Sequence, residues 1–260
     1  MNSNGVLFLM YHEIESAGRP PSNQNPGYVR YVVTENEFRR QLQAMRDERL
    51  RGVSVGEALN NIKANMDSYV ALTFDDGCET DLLVAAPILR DADFNATLFV
   101  IAGFVGTPGF LDRNQLLQLH KAGFEIGSHT MTHRHLTDLD DDQLRDELQV
   151  SKDRLEQMIG YPVVHLSCPN GRYNERVMHV AKQIGYQTIS TSRIGRNFSQ
   201  TDSPNFARFA VMRDTPIEEF FCILRGTRLL RYKGKAAILD LAKRSLGNNV
   251  YDKLRAMLLG

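Results

Sequence analysis

An α/β fold, a parallel sheet with covering helices that is either open or closed into a barrel, is predicted by three features of the 260-residue sequence. Short runs rich in β-branched, aromatic and leucine residues recur along the chain. Amphipathic stretches separate most of them, and the gaps between elements are too short to hold an obvious linker.

The first run, Val6–Tyr11, lies in a segment apolar enough to imitate the core of a signal peptide. It lacks a basic leader and a small-residue cleavage site, and it ends in His12-Glu13, so it reads as a buried first strand. From Glu15 to about Arg30 the chain holds Gly18, Pro20, Pro21, Asn23, Asn25, Pro26 and Gly27, a loop long enough to be functional or mobile. Asn36–Arg49 sets Phe38, Leu42 and Met45 on one helical stripe. A strand at Tyr69–Phe74 is followed, after an acidic loop, by a helix at Asp81–Arg90, and strands follow at Ala96–Ile101 and Phe124–Gly127. The helix Asp140–Ile159 carries Leu144, Leu148, Val150, Leu155 and Met158 among charges, and Val163–Leu166 reads as the next strand. Gly171 precedes a helix at Asn174–Ile184, strands are expected at Gln187–Ser190 and Ala207–Val211, and Pro216–Arg225 starts with proline in its first turn. His120, His165 and His179 fall inside these elements and read as packing or surface residues.

Composition bounds the function. With 42% apolar and 24% charged residues, the chain is neither disordered nor a collagen-like or disulfide-built scaffold. Thirty-one basic residues balance 31 acidic ones, so no nucleic-acid partner is expected. Cys78, Cys168 and Cys222 are scattered without C-x-x-C spacing and read as reduced thiols. No run approaches the roughly 20 apolar residues that span a bilayer, and a cytoplasmic location is the expectation. From Arg225 onward nine basic residues face two acidic ones, interleaved with leucines at helical spacing. The segment 226–260 therefore reads as a basic amphipathic helical tail, either lying on an anionic membrane surface or packed, solvated, on the rest of the protein.

Three segments carry chemistry. Thr73-Phe74-Asp75-Asp76-Gly77 puts two adjacent carboxylates at the end of a strand. Alternation along the strand would send one toward a cation and the other toward substrate, although an acidic turn opening the next helix would also explain them. His129-Thr130-Met131-Thr132-His133 follows another strand, and an i, i+4 pair on a helical turn brings two imidazoles close enough to share a metal. Asp76 completes a two-histidine, one-carboxylate set with positions left open. His135 lies off this face. In Ser167-Cys168-Pro169-Asn170-Gly171, Pro169 stiffens a strand-to-helix turn and Gly171 permits it, so the Asn170 N–H could serve as an oxyanion donor.

In order along the chain, these segments resemble the motifs of the polysaccharide deacetylase family, the NodB-homology carbohydrate esterases. TFDDG is similar to the first motif, HTMTH to H-[ST]-x-x-H and SCPNG to R-x-P-x-G, and the resemblance covers about Val70 to Ile189. It implies a distorted (β/α) barrel of about seven parallel strands over residues 1–225, with the site at the C-terminal strand ends. It also implies one divalent ion, Zn2+ before Co2+, Ni2+ or Mn2+, on Asp76, His129 and His133, with Asp75 as catalytic base. The implied substrate is an N-acetylated amino sugar in a polysaccharide, oligosaccharide or lipid-linked glycan, and the products are acetate and a free amine.

Two positions depart from the family. Ser167 stands where the third motif begins with an arginine that holds the catalytic aspartate, leaving Arg208 and Arg193 as candidates for that task. The L-x-H motif that supplies a general acid is missing after Val211. Leu9-Met10-Tyr11-His12 resembles the Tyr-His strand end of a circularly permuted subgroup, so His12 is the expected acid, entering from the side opposite Asp75 if the first strand closes the barrel beside the last. Hydrolysis of another C–N bond, in a cyclic amide or formyl group, remains an alternative, as does a sugar-binding module with a relict site.

Overall fold

The first strand, β1 (Val6–Tyr11), is buried along its whole length. A strand covered on both faces has no polar side, which accounts for its unbroken apolar run. The computed structural model describes residues 5–64, 68–198, 205–227 and Gly234. After α1 (Pro26–Val29) and α2 (Glu35–Asp47) come β2 (Arg51–Val53), α3 (Val55–Lys63) and β3 (Tyr69–Asp76). The helix expected from Asp81 starts as a widened π turn, Asp81–Ala85, before α4 (Ala86–Asp91). Pro87, which has no N–H to donate and whose ring crowds the preceding turn, stands just beyond the widening.

Strand and helix then alternate through β4 (Thr97–Val100), α5 (Arg113–Lys121), β5 (Glu125–Ser128), α6 (Asp141–Ile159), β6 (His165–Ser167), α7 (Glu175–Ile184) and β7 (Thr188–Ser190). Short strands β8 (Arg196–Asn197), β9 (Asn205–Phe206) and β10 (Phe209–Ala210) complete this part. The helices α2, α3, α5, α6 and α7 all begin at a polar cap whose side chain accepts the N3 backbone N–H, and α3 and α5 carry full capping boxes.

The sheet runs β10-β1-β3-β4-β5-β6-β7-β9, parallel throughout, with β2 beside β3 and β8 antiparallel to β1. Its two ends are β9 and β10, which belong to one stretch of chain. Of the strand expected at Ala207–Val211 only Phe209–Ala210 forms: Phe209 pairs with Leu9 on β1, Phe206 just ahead of the expected strand pairs with Ser190 on β7, and Ala207-Arg208 crosses the gap between them. With β9 and β10 counted as halves of one strand, the result is a distorted barrel of seven strands, irregular where it closes.

The chain divides into two compact units, Met1–Thr215 and Pro216–Gly260. In the second, α8 (Ile217–Arg225) ends at Gly226 with a left-handed φ of 73°. The basic tail read at 226–260 lies outside the described residues, apart from Gly226, Thr227 and Gly234. Among the described residues no helix is long and apolar enough to cross a membrane.

Candidate metal centre

The C-terminal end of β3 delivers Asp75 and Asp76 into the same cleft. Strand alternation does not govern this pair, because Asp76 has a φ of 85° and the chain has already turned out of the extended conformation. His129 Nε2 lies 3.9 Å from Asp75 Oδ2 and 3.5 Å from Asp76 Oδ1.

The two carboxylates have opposite surroundings. Asp75 is gripped by Arg208, whose Nη1 donates to Oδ1 at 2.7 Å and Nη2 to Oδ2 at 2.8 Å. Ser167 Oγ adds a third donor at 3.1 Å and is itself hydrogen bonded by Arg208 at 2.8 Å. Burial alone would raise the Asp75 pKa, and it is the largest single influence, but the charge and hydrogen bonds of Arg208 together with the neighbouring histidines outweigh it and hold the carboxyl well below the usual range. Asp76 has no such partner. Burial, and then the charges of Asp75 and Glu13, push its pKa up to about 8. A cation is the charge this carboxylate lacks.

Arg208 answers the question raised by Ser167. It is almost wholly buried, donates to Thr191 O and Thr73 Oγ1 as well as to Asp75 and Ser167, and sits over the Phe99 ring. A serine at the β6 end leaves room for a guanidinium arriving from the barrel closure. Arg193 is exposed, and its guanidinium reaches Asn205 O instead.

The two metal-ligating candidates of the second motif do not lie on a helical turn. The segment after β5 is irregular, with left-handed φ at Thr130 (67°) and His133 (62°), residues that adopt it at a cost of roughly 1–3 kcal/mol each. The i, i+4 spacing still converges, because the loop doubles back and Thr130 Oγ1 accepts the His133 N–H at 3.1 Å. His129 Nδ1 meets Ser167 O at 2.9 Å, which makes Nδ1 the protonated nitrogen and leaves the Nε2 lone pair facing Asp76. Burial lowers the pKa of His129, and burial, with the repulsion a proton on His129 would add, lowers that of His133 to about 3. Both rings are therefore neutral, as ligands must be.

One ligand atom from each of Asp76, His129 and His133 lies within 4.8 Å of the others. Asp76 Oδ1 is 3.5 Å from His129 Nε2 and 3.7 Å from His133 Nε2. Tetrahedral ligands at 2.0–2.2 Å from a zinc-sized ion stand about 3.4 Å apart, so the set fits a divalent cation.

The remaining sequence candidates surround this triad. Asn170 has a φ of 53° in the short 3-10 turn Pro169–Gly171, and a Cβ on Gly171 would collide with Ser192. The Asn170 amide and Arg172 meet opposite nitrogens of the His135 ring, at 3.0 and 3.1 Å. His12 follows β1, whose register pairs Tyr11 with Phe74, and so stands level with Asp75 on the neighbouring strand. Its ring lies 4.7 Å from that of Tyr31. The Glu15–Arg30 loop is anchored through Glu13, whose carboxylate accepts from Ser22 N, Ser22 Oγ and Tyr28 Oη. A cavity of about 290 Å³ opens under this loop, lined by Glu13, Arg19, Ser22, Glu79, Thr80 and Pro108 among others.

Glu147 belongs to none of the three motifs. It is buried on α6 and accepts donors from the loop between the two histidines. Its signal was a charge at a core-facing position, in step with Leu144, Leu148 and Leu155.

Comparison with known proteins gives a consistent picture. The profile described as polysaccharide deacetylase matches residues 63–189. YxkH of Bacillus subtilis is 30% identical over 190 residues, 72% of this chain and 64% of that protein. A peptidoglycan-N-acetylglucosamine deacetylase of Bacillus cereus is 34% identical over 126 residues, 48% of this chain and 57% of that one. This chain thus spans less than two thirds of either curated relative. Among solved structures, the Streptococcus pyogenes deacetylase PplD in complex with acetate is 27% identical and superposes with a TM-score of 0.74, covering 85% of this chain and 98% of PplD.

Proposed function

Because the chain belongs to the polysaccharide deacetylase family, we propose that it is a metal-dependent hydrolase that removes N-acetyl groups from the amino sugars of a glycan, of which peptidoglycan is the class its relatives' names support. One observation carries this reading. An ionised, arginine-held carboxylate stands beside a second carboxylate and two neutral imidazoles that converge without a cation's charge to balance them.

Asp76, His129 and His133 would hold the ion, with zinc the first candidate and cobalt, nickel and manganese the others. When bound, it would acidify water and polarise the acetyl carbonyl. Asp75 is the base. Arg208 and Ser167 occupy three of the roughly four acceptor positions of its carboxylate, leaving one, on Oδ1, for the proton of the attacking water. That grip gives up basicity for position: the carboxylate is ionised at any working pH and cannot turn away. The Asn170 N–H, presented by the left-handed turn, would steady the oxyanion; losing such a donor costs about 3–4 kcal/mol of barrier. His12, level with Asp75 on the next strand, would protonate the departing amine, the role its Tyr-His strand end implies by resemblance.

The relict-site alternative drew its support from Ser167 and from the missing C-terminal L-x-H motif, and Arg208 on Asp75 removes the first of these. Acetate release from N-acetylglucosamine oligomers and peptidoglycan fragments tests the proposal, using zinc-loaded and EDTA-stripped protein. We expect acetate only from the loaded form. Hydrolysis of a cyclic imide or a formyl amide, with no acetate from any glycan, would overturn it.

A further inference from the structure

We propose that Glu147 is a positioning residue for the metal centre, holding the loop between His129 and His133 in the shape that turns both rings toward Asp76. The inference rests on the reading that this triad takes a divalent ion.

The loop is gripped from two sides. On the β4 side, the N–H groups of Ala102 and Gly103 donate to Thr130 O at 3.0 Å and Met131 O at 2.8 Å, and a Cβ on Gly103 would collide with that carbonyl. On the α6 side, Glu147 Oε2 accepts the N–H groups of Met131 at 3.0 Å and Thr132 at 2.9 Å, while Oε1 accepts the Thr132 hydroxyl. One carboxylate thus takes three donors from the two residues next to His133. Among the described residues no arginine or lysine forms an ion pair with Glu147, so its buried charge is met by the loop itself. One turn further along α6, Ser151 Oγ lies 2.6 Å from Ser128 Oγ, which accepts the Thr130 N–H at 3.2 Å.

A loop with two left-handed non-glycine residues keeps that shape only if its surroundings impose it. Without Glu147, two N–H groups lose their buried acceptor and the segment relaxes toward commoner φ values. The His133 ring would then leave its 3.7 Å position beside Asp76. Groups that orient metal ligands in this way contribute about 10–100-fold to metal affinity.

The test is the zinc dissociation constant of the full chain, measured by competition with a chromophoric chelator, alongside the melting curve of the metal-free protein. For Glu147→Gln, which keeps the shape but replaces one acceptor with a donor, we expect zinc affinity to fall by about 10–100-fold while the metal-free protein still melts cooperatively. Thr132→Val, which removes one donor and leaves the carboxylate in place, should weaken binding in the same direction by a smaller factor, and it serves if the glutamine variant does not fold. Zinc affinity within twofold of wild type in a folded variant would overturn the role of Glu147. A wild-type chain with no zinc affinity would instead overturn the metal centre, and this role with it.

Discussion

The two ends of the barrel carry nearly the same chemical groups and put them to different use. At the N-terminal end, Glu125 on β5 and His165 on β6 face each other at 3.3 Å, with Thr97 and Thr188 beside them. Every group there has a partner. Glu125 accepts the Gly56 N–H and the Thr97 hydroxyl, Thr97 Oγ1 accepts the Val55 N–H at 2.8 Å, and His165 Nδ1 meets Thr188 Oγ1 at 2.8 Å. The cluster serves the first N–H groups of α3, which no residue of the helix itself can satisfy. At the C-terminal end, Asp76 faces two imidazoles at distances too long for hydrogen bonds, and its pKa is raised rather than lowered. A carboxylate-histidine cluster is a structural part when its bonds close on themselves, and a site when they converge on a point between the groups. In a parallel barrel the loops after the strands are also the ones free to vary, which puts chemistry at that end.

Removing groups from the two ends should therefore have different consequences, largest at the convergent end. His129→Ala deletes one of the three proposed ligands, and we expect both bound metal and turnover to fall to background, read by metal analysis and acetate release. A full metal complement in that variant would erase the distinction between the ends. Asp75→Asn should keep its metal and lose about 10²–10⁴-fold in turnover, since the base goes while the ligands stay; wild-type turnover would remove Asp75 from that role. His12→Ala should also keep its metal, with a smaller loss within the same range, and unchanged turnover would show that the acid lies elsewhere.

The same contrast explains what could be read from the sequence. The β3, β5 and β6 strand ends were legible because their motifs are contiguous and strongly patterned, and all of the proposed metal ligands lie in two such segments. Arg208 was visible only as one of two candidate arginines. What selects it is the split of the last strand into β9 and β10, a closure detail with no local signature beyond a charge inside the apolar run Phe206–Val211. The helical turn expected for His129–His133 gave way to a loop because tertiary partners, Gly103 on one side and Glu147 on the other, outweigh local spacing. Helices α3 and α5 escaped the periodicity reading, although Ser54-x-x-Glu57 and Asp112-x-x-Gln115 announce their starts.

The smallest expected effect, and the one that isolates the N-terminal cluster, is Glu125→Gln. The amide keeps the shape but loses charge-assisted bonds, so stability should fall by about 1.5–3 kcal/mol with no change in turnover per folded molecule. The loss should depend on pH. Burial raises the Glu125 pKa, but hydrogen bonding and the charge of His165, with Thr97 and Gly56, bring it below its ordinary value of 4.5. A carboxyl depressed in the folded state contributes stability that is complete above its unfolded pKa and disappears as pH falls through the folded one. Wild type should therefore exceed the variant in urea midpoint at neutral pH, and the gap should close as the solution is acidified below about 4.5. A gap that stayed constant through that range would mean the cluster acts through shape alone. A fall in turnover at neutral pH would mean that the two ends are coupled through β5, which carries Glu125 at its start and delivers His129 just past its end.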